Sequence, residues 1–289
     1  MPLRACAPAG ERTTTAPLSP ASGRRGCRAV RPWRTNAGMT RPDDLARILR
    51  SGESALPRLI WHAPGERIEL SGRVLATWTA KAADLLQEDL DGGVGTRVRL
   101  EGDPHWRLLV WALATWTVGG TVVVGGGAPS AENPVDVVVI DGERLGETWE
   151  PGAAETQGAD WVVALTRAAL ARRSPVPLPA GVVDEAAVLL SHPDEMDPYD
   201  TAPATAPALV GDAASVTYDD LVTPGVEGRL HVSGTAPLAE VLRTAASAWA
   251  GGGSILLTDP RWEEEHGGDP TQGSFARILE SEGVTGPAA

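Results

Sequence analysis

Few residues in this chain have the types and spacing that chemistry needs. Ser233 follows His231 with one residue between them. A serine hydrolase holds its nucleophile in a G-x-S-x-G turn, and no glycine precedes Ser233 in that pattern. Val232-Ser233-Gly234-Thr235 reads instead as a turn entering the next helix. Gly125-Gly126-Gly127 follows a strand pattern, as a phosphate-cradling loop does. The G-x-G-x-x-G spacing fails there because Ser130 holds the last place, so a tight turn is the reading. Glu263-Glu264-Glu265-His266 gathers metal-ligand types, but no second His or Cys stands at ligand spacing. That run reads as a solvated acidic face. His62, His105, His192 and His231 are isolated and read as structural. Lys81, the only lysine, lies off the apolar stripe of its helix and reads as solvated. The expected catalytic, cofactor-binding and metal residues are therefore none, and no cofactor is expected.

The totals narrow the partners. The chain has 289 residues, is 42% hydrophobic and carries a formal charge of -13. Phosphate contacts need clustered cations, so nucleic acid is not an expected partner. Acidity of this size favours solubility. No apolar run approaches the ~20 residues of a membrane span, so a membrane is not expected either. Cys6 and Cys27 both lie in the N-terminal tail. The body has no disulfide or thiolate set, which fits a reducing cytoplasm. An unknown small molecule or protein remains as the partner.

Residues 1–38 differ from the rest. Arg4, Arg12, Arg24, Arg25, Arg28, Arg31 and Arg34 stand there against Glu11 alone, with no helical or strand period. The segment reads as a disordered basic leader, or as upstream sequence from a misassigned start, since Met39-Thr40-Arg41-Pro42-Asp43 reads like a natural beginning. Residues 39–289 read as one α/β domain with a loop-rich stretch over 174–215.

The elements that must position any site alternate. A short helix is predicted over 43–51, strands over 58–62 and 67–70, a helix over 75–90 and a strand over 97–100. The helix pattern over 105–118 is apolar nearly all round, so it is predicted to be buried; Gly119-Gly120 ends it. A strand over 121–124 follows. Residues 135–140 and 161–165 are continuous apolar runs, suited to strands buried on both faces of a parallel sheet. A helix capped by Thr166 is predicted over 166–172. Further on come a strand pattern at Leu209-Val210, the segment 215–221, a strand over 229–232 and a helix over 238–250. A strand over 254–257 and a helix over 275–282 complete the order. This alternation predicts an α/β fold with a mostly parallel sheet flanked by helices. Open sheets of this kind bind ligands outside the carboxyl ends of their strands, here after Val124 and Val139-Ile140.

The order from Arg67 to Gly125 resembles the opening of the large domain of adenylate-forming enzymes, the acyl-CoA synthetase and AMP-binding (ANL) superfamily. There T-Y-x-E-L, G-D-x-V, an apolar helix and G-x-x-V-V-P-L follow one another. Ser215-Val216-Thr217-Tyr218-Asp219-Asp220-Leu221 looks like that family's T-H-x-N-L segment. Residues 250–257 look like its G-x-x-V-L strand, and 278–285 like its helix ending in V-T. Glu66–Ser71 (E-R-x-E-L-S) and the L-A-x-W-x-x-K of residues 75–81 resemble, more closely, an uncharacterised actinobacterial family distantly related to these enzymes. The resemblance implies a truncated, N-terminal portion of the adenylate-forming fold.

It also implies where nucleotide chemistry should sit. The family's phosphate loop, Ser/Thr/Gly-rich and ending in Pro-Lys-Gly, belongs between Val210 and Val216, where only Gly211-Asp212-Ala213-Ala214-Ser215 stand. Such a loop needs flexible N–H donors and a lysine. Residues 174–228 contain acids but no Lys or Arg. The phosphate loop, the catalytic lysines and the C-terminal lid domain are not found. The expectation is a non-catalytic, adenylation-enzyme-like domain, a pseudoenzyme that binds or interacts. The alternative is an acyl- or adenylate-handling enzyme completed by a partner chain.

Overall fold

Ser71 starts the first long helix. It ends a hairpin of β1 (Pro57–Ala63) and β2 (Glu66–Ser71), which turns at Gly65 with φ 70°. The Ser71 hydroxyl accepts from the Val74 N–H, and α2 (Gly72–Asp84) begins. Gly72 sits where α1 (Asp44–Arg50) crosses: a Cβ there would meet the Leu49 carbonyl at 2.5 Å. The end of α2 widens into a π-turn over Leu85–Asp89.

The computed structural model describes residues 44–51, 53–125, 134–148, 158–211, 215–221 and 226–286, all in the unit Thr35–Ala289. The basic leader, Gly126-Gly127, Ser130 and residues 212–214 lie outside the described residues.

Two sheets form, where the sequence suggested one. The larger has seven strands in the order β7-β6-β5-β3-β4-β8-β9. These are β3 (Arg97–Glu101), β4 (Thr121–Val123), β5 (Val137–Asp141), β6 (Trp161–Leu165), β7 (Val182–Asp184), β8 (Pro207–Val210) and β9 (Ser215–Thr217). All neighbours pair in parallel except β8 with β9. The smaller sheet runs β10-β11-β1-β2, with β10 (Arg229–Ser233) and β11 (Ser254–Thr258) parallel to β1. The mostly parallel, helix-flanked α/β fold is therefore as expected.

Helix α3 (Trp106–Thr117) is buried at every residue, as its all-round apolar character predicts. Gly119, with φ 82°, ends it. Its neighbour α2 and the helix α7 (Leu238–Ala250) share one core with strands of both sheets, which holds Trp61, Trp106, Trp111, Trp116 and Trp249. Trp249 Nε1 donates to the Arg58 carbonyl at 2.8 Å, and Trp116 Nε1 to that of Ala208 at 2.8 Å. These two tryptophans are thus apolar bodies with a satisfied N–H, whereas Trp106 Nε1 is buried with no hydrogen-bond partner.

Four expectations change. Residues 166–172 form a turn, not a helix. Arg107 takes the carbonyls of Ala168 and Ala169, which a helix would have used itself, and Thr166 is buried without capping anything. Strand β7 and the four-residue helix α5 (Glu185–Val188) are too short to give a period. Helix α8 (Pro260–Glu265), capped by the Asp259 side chain with Pro260 in its first turn, stands where an acidic run was read. The last helix, α9 (Gly273–Ser281), begins two residues before the predicted start.

Candidate functional site

The parallel strands β3, β5 and β6 are neighbours, so their carboxyl ends line up. The chain leaving β3 enters α3 at His105, whose Nδ1 accepts from the Arg107 N–H at 3.3 Å. Burial, with the Arg167 and Arg107 cations nearby, holds His105 well below the usual imidazole pKa. The neutral ring can therefore act as a helix cap.

Arg107 is the hub of this end. Its side chain is 2% exposed, and its Nη1 lies 3.2 Å from both oxygens of Glu185, itself 1% exposed. Nη2 donates to the Ala169 carbonyl at 3.2 Å. The guanidinium carbon stands 4.6 Å from the Trp106 ring centre and 5.1 Å from that of Trp78. Trp111 Nε1 also donates to Glu185, at 3.4 Å. Burial pushes the Glu185 carboxyl up while Arg107 pulls it down. One further donor, Arg107 Nε, is buried with no hydrogen-bond partner. Beside this hub Asp141, ending β5, pairs with Arg167 at 2.6 Å. A cavity of about 110 Å³ opens against Trp78, Arg107, Leu170, Ala186 and Leu189. The sequence reading missed the Arg107–Glu185 pair. Its one signal was an arginine inside an otherwise apolar helix.

The carboxyl ends of β10, β11 and β1 carry a second cluster. Thr258 Oγ1 donates to Glu263 at 2.5 Å, so His231 Nε2, 2.9 Å away, must be the donor to Thr258. Ser233 donates to the other Glu263 oxygen at 2.9 Å, and the Gly234 N–H to Glu263 at 3.2 Å. The Ser233 hydroxyl is thus turned to a carboxylate and makes no hydrogen bond with His231. Glu263 is 8% exposed, which corrects the solvated reading for that residue; Glu264 and Glu265 do face solvent. His62 lies 3.0 Å from Glu282, which Arg67 also holds at 2.7 Å. Arg67 draws Glu282 below its usual pKa, and burial lowers His62 despite its carboxylate partner. His266 stacks on Trp262 at 4.0 Å, and Trp262 meets Phe275 edge-on. Two of the isolated histidines, His62 and His231, and also His266 therefore meet around α8 and α9 as packing and hydrogen-bonding groups. No set of three His, Cys, Asp or Glu with metal-holding geometry occurs among the described residues.

No family profile matches the chain. Among solved structures it is similar to an acyl-CoA synthetase of Brucella canis, with a TM-score of 0.62 and 14% identity. That match covers 88% of this chain and 47% of the synthetase. The fold is that of the adenylate-forming enzymes. The N-terminal subdomain of Klebsiella oxytoca NpsA, solved with anthranilyl-AMSN, is similar over 86% of this chain and 59% of its own, at 19% identity and a TM-score of 0.53. The chain spans about half the length of these solved structures. In sequence it is 28% identical over 197 residues to a TIGR03089 family protein of Mycobacterium tuberculosis, covering 68% of this chain and 74% of that protein. That likeness fits the uncharacterised actinobacterial family that the motifs resemble.

Within an adenylate-forming fold, the place between β8 and β9 becomes informative. Val210 and Ser215 are direct partners across this antiparallel pair, so residues 211–214 are all that connect them. Lys81 is not solvated as expected. Its Nζ lies 2.8 Å from Asp194 and also donates to the His192 carbonyl. His192 in turn binds Asp84 at 2.8 Å, and Tyr199 donates to Glu88, so residues 192–199 lie along α2 and its π-turn.

Proposed function

We propose that this is a non-catalytic, adenylation-enzyme-like domain that acts by binding or interaction. One observation carries the reading: Val210 pairs directly with Ser215. Four residues cannot wrap a triphosphate with several backbone N–H donors and also present a lysine. Two further points support it. The only lysine is held by Asp194 and the His192 carbonyl. The stretch 174–228 has no cation to receive phosphate charge.

The test is isothermal titration with Mg-ATP, together with pyrophosphate exchange on a panel of fatty, aryl and amino acids. The expected result is no saturable heat at millimolar nucleotide and no acid-dependent exchange. Saturable heat, or exchange abolished by Lys81→Ala, overturns the reading.

A second reading rests on a single contact. Gly286 makes an isolated parallel bridge to Leu230 of β10, the edge strand of the smaller sheet, so that edge accepts backbone pairing. A partner chain that pairs there and completes the fold would make an acyl- or adenylate-handling enzyme. Exchange that appears only when cell extract is added favours this second reading.

A further inference from the structure

We propose that the cavity beside Arg107 seats one apolar side chain of a partner polypeptide that carries an acidic residue next to it. The inference deepens the binding reading above by naming the surface and the chemistry of its partner.

The cavity, about 110 Å³, is walled by Trp78, Leu189 and Arg107. An engineered apolar cavity of about 150 Å³ takes up benzene, so this one has room for a single leucine-sized group. Leu170 and Leu190 also line it, and they are 93% and 45% exposed. Large apolar groups left in water at the mouth of an apolar cavity mark an interaction surface. A small molecule that fills the cavity would leave both leucines wet, whereas a polypeptide laid across the mouth covers them.

Charge specifies the neighbour. Arg172 lines the same mouth and Arg173 follows it; both are exposed. Neither has an ion-pair or hydrogen-bond partner among the described residues, in a chain of net charge -13. An arginine fork at the rim favours a carboxylate. The walls are already set. Arg107 ties the Ala168 and Ala169 carbonyls to α3, and Glu185 ties Arg107 to α5. Little ordering remains to oppose binding.

The experiment selects displayed random 12-residue peptides on the full chain, with counter-selection on a Leu170→Asp/Arg172→Glu variant. Both positions are exposed, so the variant should keep the parent melting temperature. The expected peptides carry Leu, Met or Phe beside Asp or Glu. A synthetic copy of one should bind at least tenfold more weakly to either single variant. Lysine in place of its acid should restore binding to Arg172→Glu. No enrichment, or peptides that bind both variants as well as the parent, overturns the proposal. So does full displacement of the peptide by hexanoate or benzoate, which would assign the cavity to a small acid. Concentration-dependent self-association lost in Leu170→Asp would assign the surface to a second copy and equally overturn it. Failure here leaves the nucleotide result standing, and Mg-ATP binding would leave the cavity result standing.

Discussion

Arg107 and Glu185 are buried together, and each is tolerable only because of the other. A buried charge that loses its partner keeps its desolvation cost. Glu185→Gln should therefore lower unfolding stability by about 3–5 kcal/mol, read from urea unfolding at neutral pH. The double change Arg107→Leu/Glu185→Leu should recover much of that loss, because no charge is then left stranded. Equal stability of Glu185→Gln and the parent would show that water reaches the pair.

His105 sets a pH dependence at the same end. Its folded pKa is depressed, so the unfolded chain takes up its proton first as pH falls. The stability this neutral cap contributes is present above the ordinary imidazole pKa near 6.5 and is lost as pH falls toward the folded value. His62 and His231 are depressed by burial and act in the same sense. Glu185, raised by burial, acts in the opposite sense. His105→Asn keeps a side-chain acceptor for the Arg107 N–H but removes the titration. Unfolding free energy should therefore fall less steeply between pH 7 and pH 5 in His105→Asn than in the parent. Parallel curves would mean that His105 is not neutral in the fold.

At the scale of elements, α3 is the clearest case of burial deciding structure. Every residue from Trp106 to Thr117 is inside, and the Thr115 and Thr117 hydroxyls satisfy themselves on the Trp111 and Leu113 carbonyls. A helix placed this way cannot rotate to expose a new charge. Leu113, 1% exposed, has no polar partner to offer an introduced carboxylate. Leu113→Asp should cost several kcal/mol and abolish cooperative melting or soluble expression. An unchanged melting temperature would contradict the burial of α3.

At the scale of the whole molecule, both sheets share one continuous core through Trp61, Trp116 and Trp249. Residues 44–286 should then unfold as one transition. A chain beginning at Met39 should melt within a few degrees of the full chain, because the strands and helices of this core all lie beyond that point. A larger fall on truncation would show that the leader packs on the core.

The sequence by itself determined which segments leave water. The 3.6-residue period over α2, the unbroken apolarity of α3 and the Val-rich runs of β5 and β6 are local properties, so elements and fold class were legible. The order of elements from Arg67 to Gly125 and the segment 215–221 carried the likeness to adenylate-forming enzymes, and E-R-x-E-L-S the likeness to the actinobacterial family. Only the tertiary structure decided how the strands divide into two sheets, since apolar runs say that a strand is buried but not which strand it pairs with. It also decided every polar partner that matters. Glu185 meets Arg107 across 78 residues, Glu282 meets His62 across 220, and Lys81 meets the His192 carbonyl across 111. A lone charge in an apolar helix announces that a partner must exist, because an unpaired one would be too costly to bury. It cannot say which residue that is, because the partner is chosen by strand order and helix placement far along the chain.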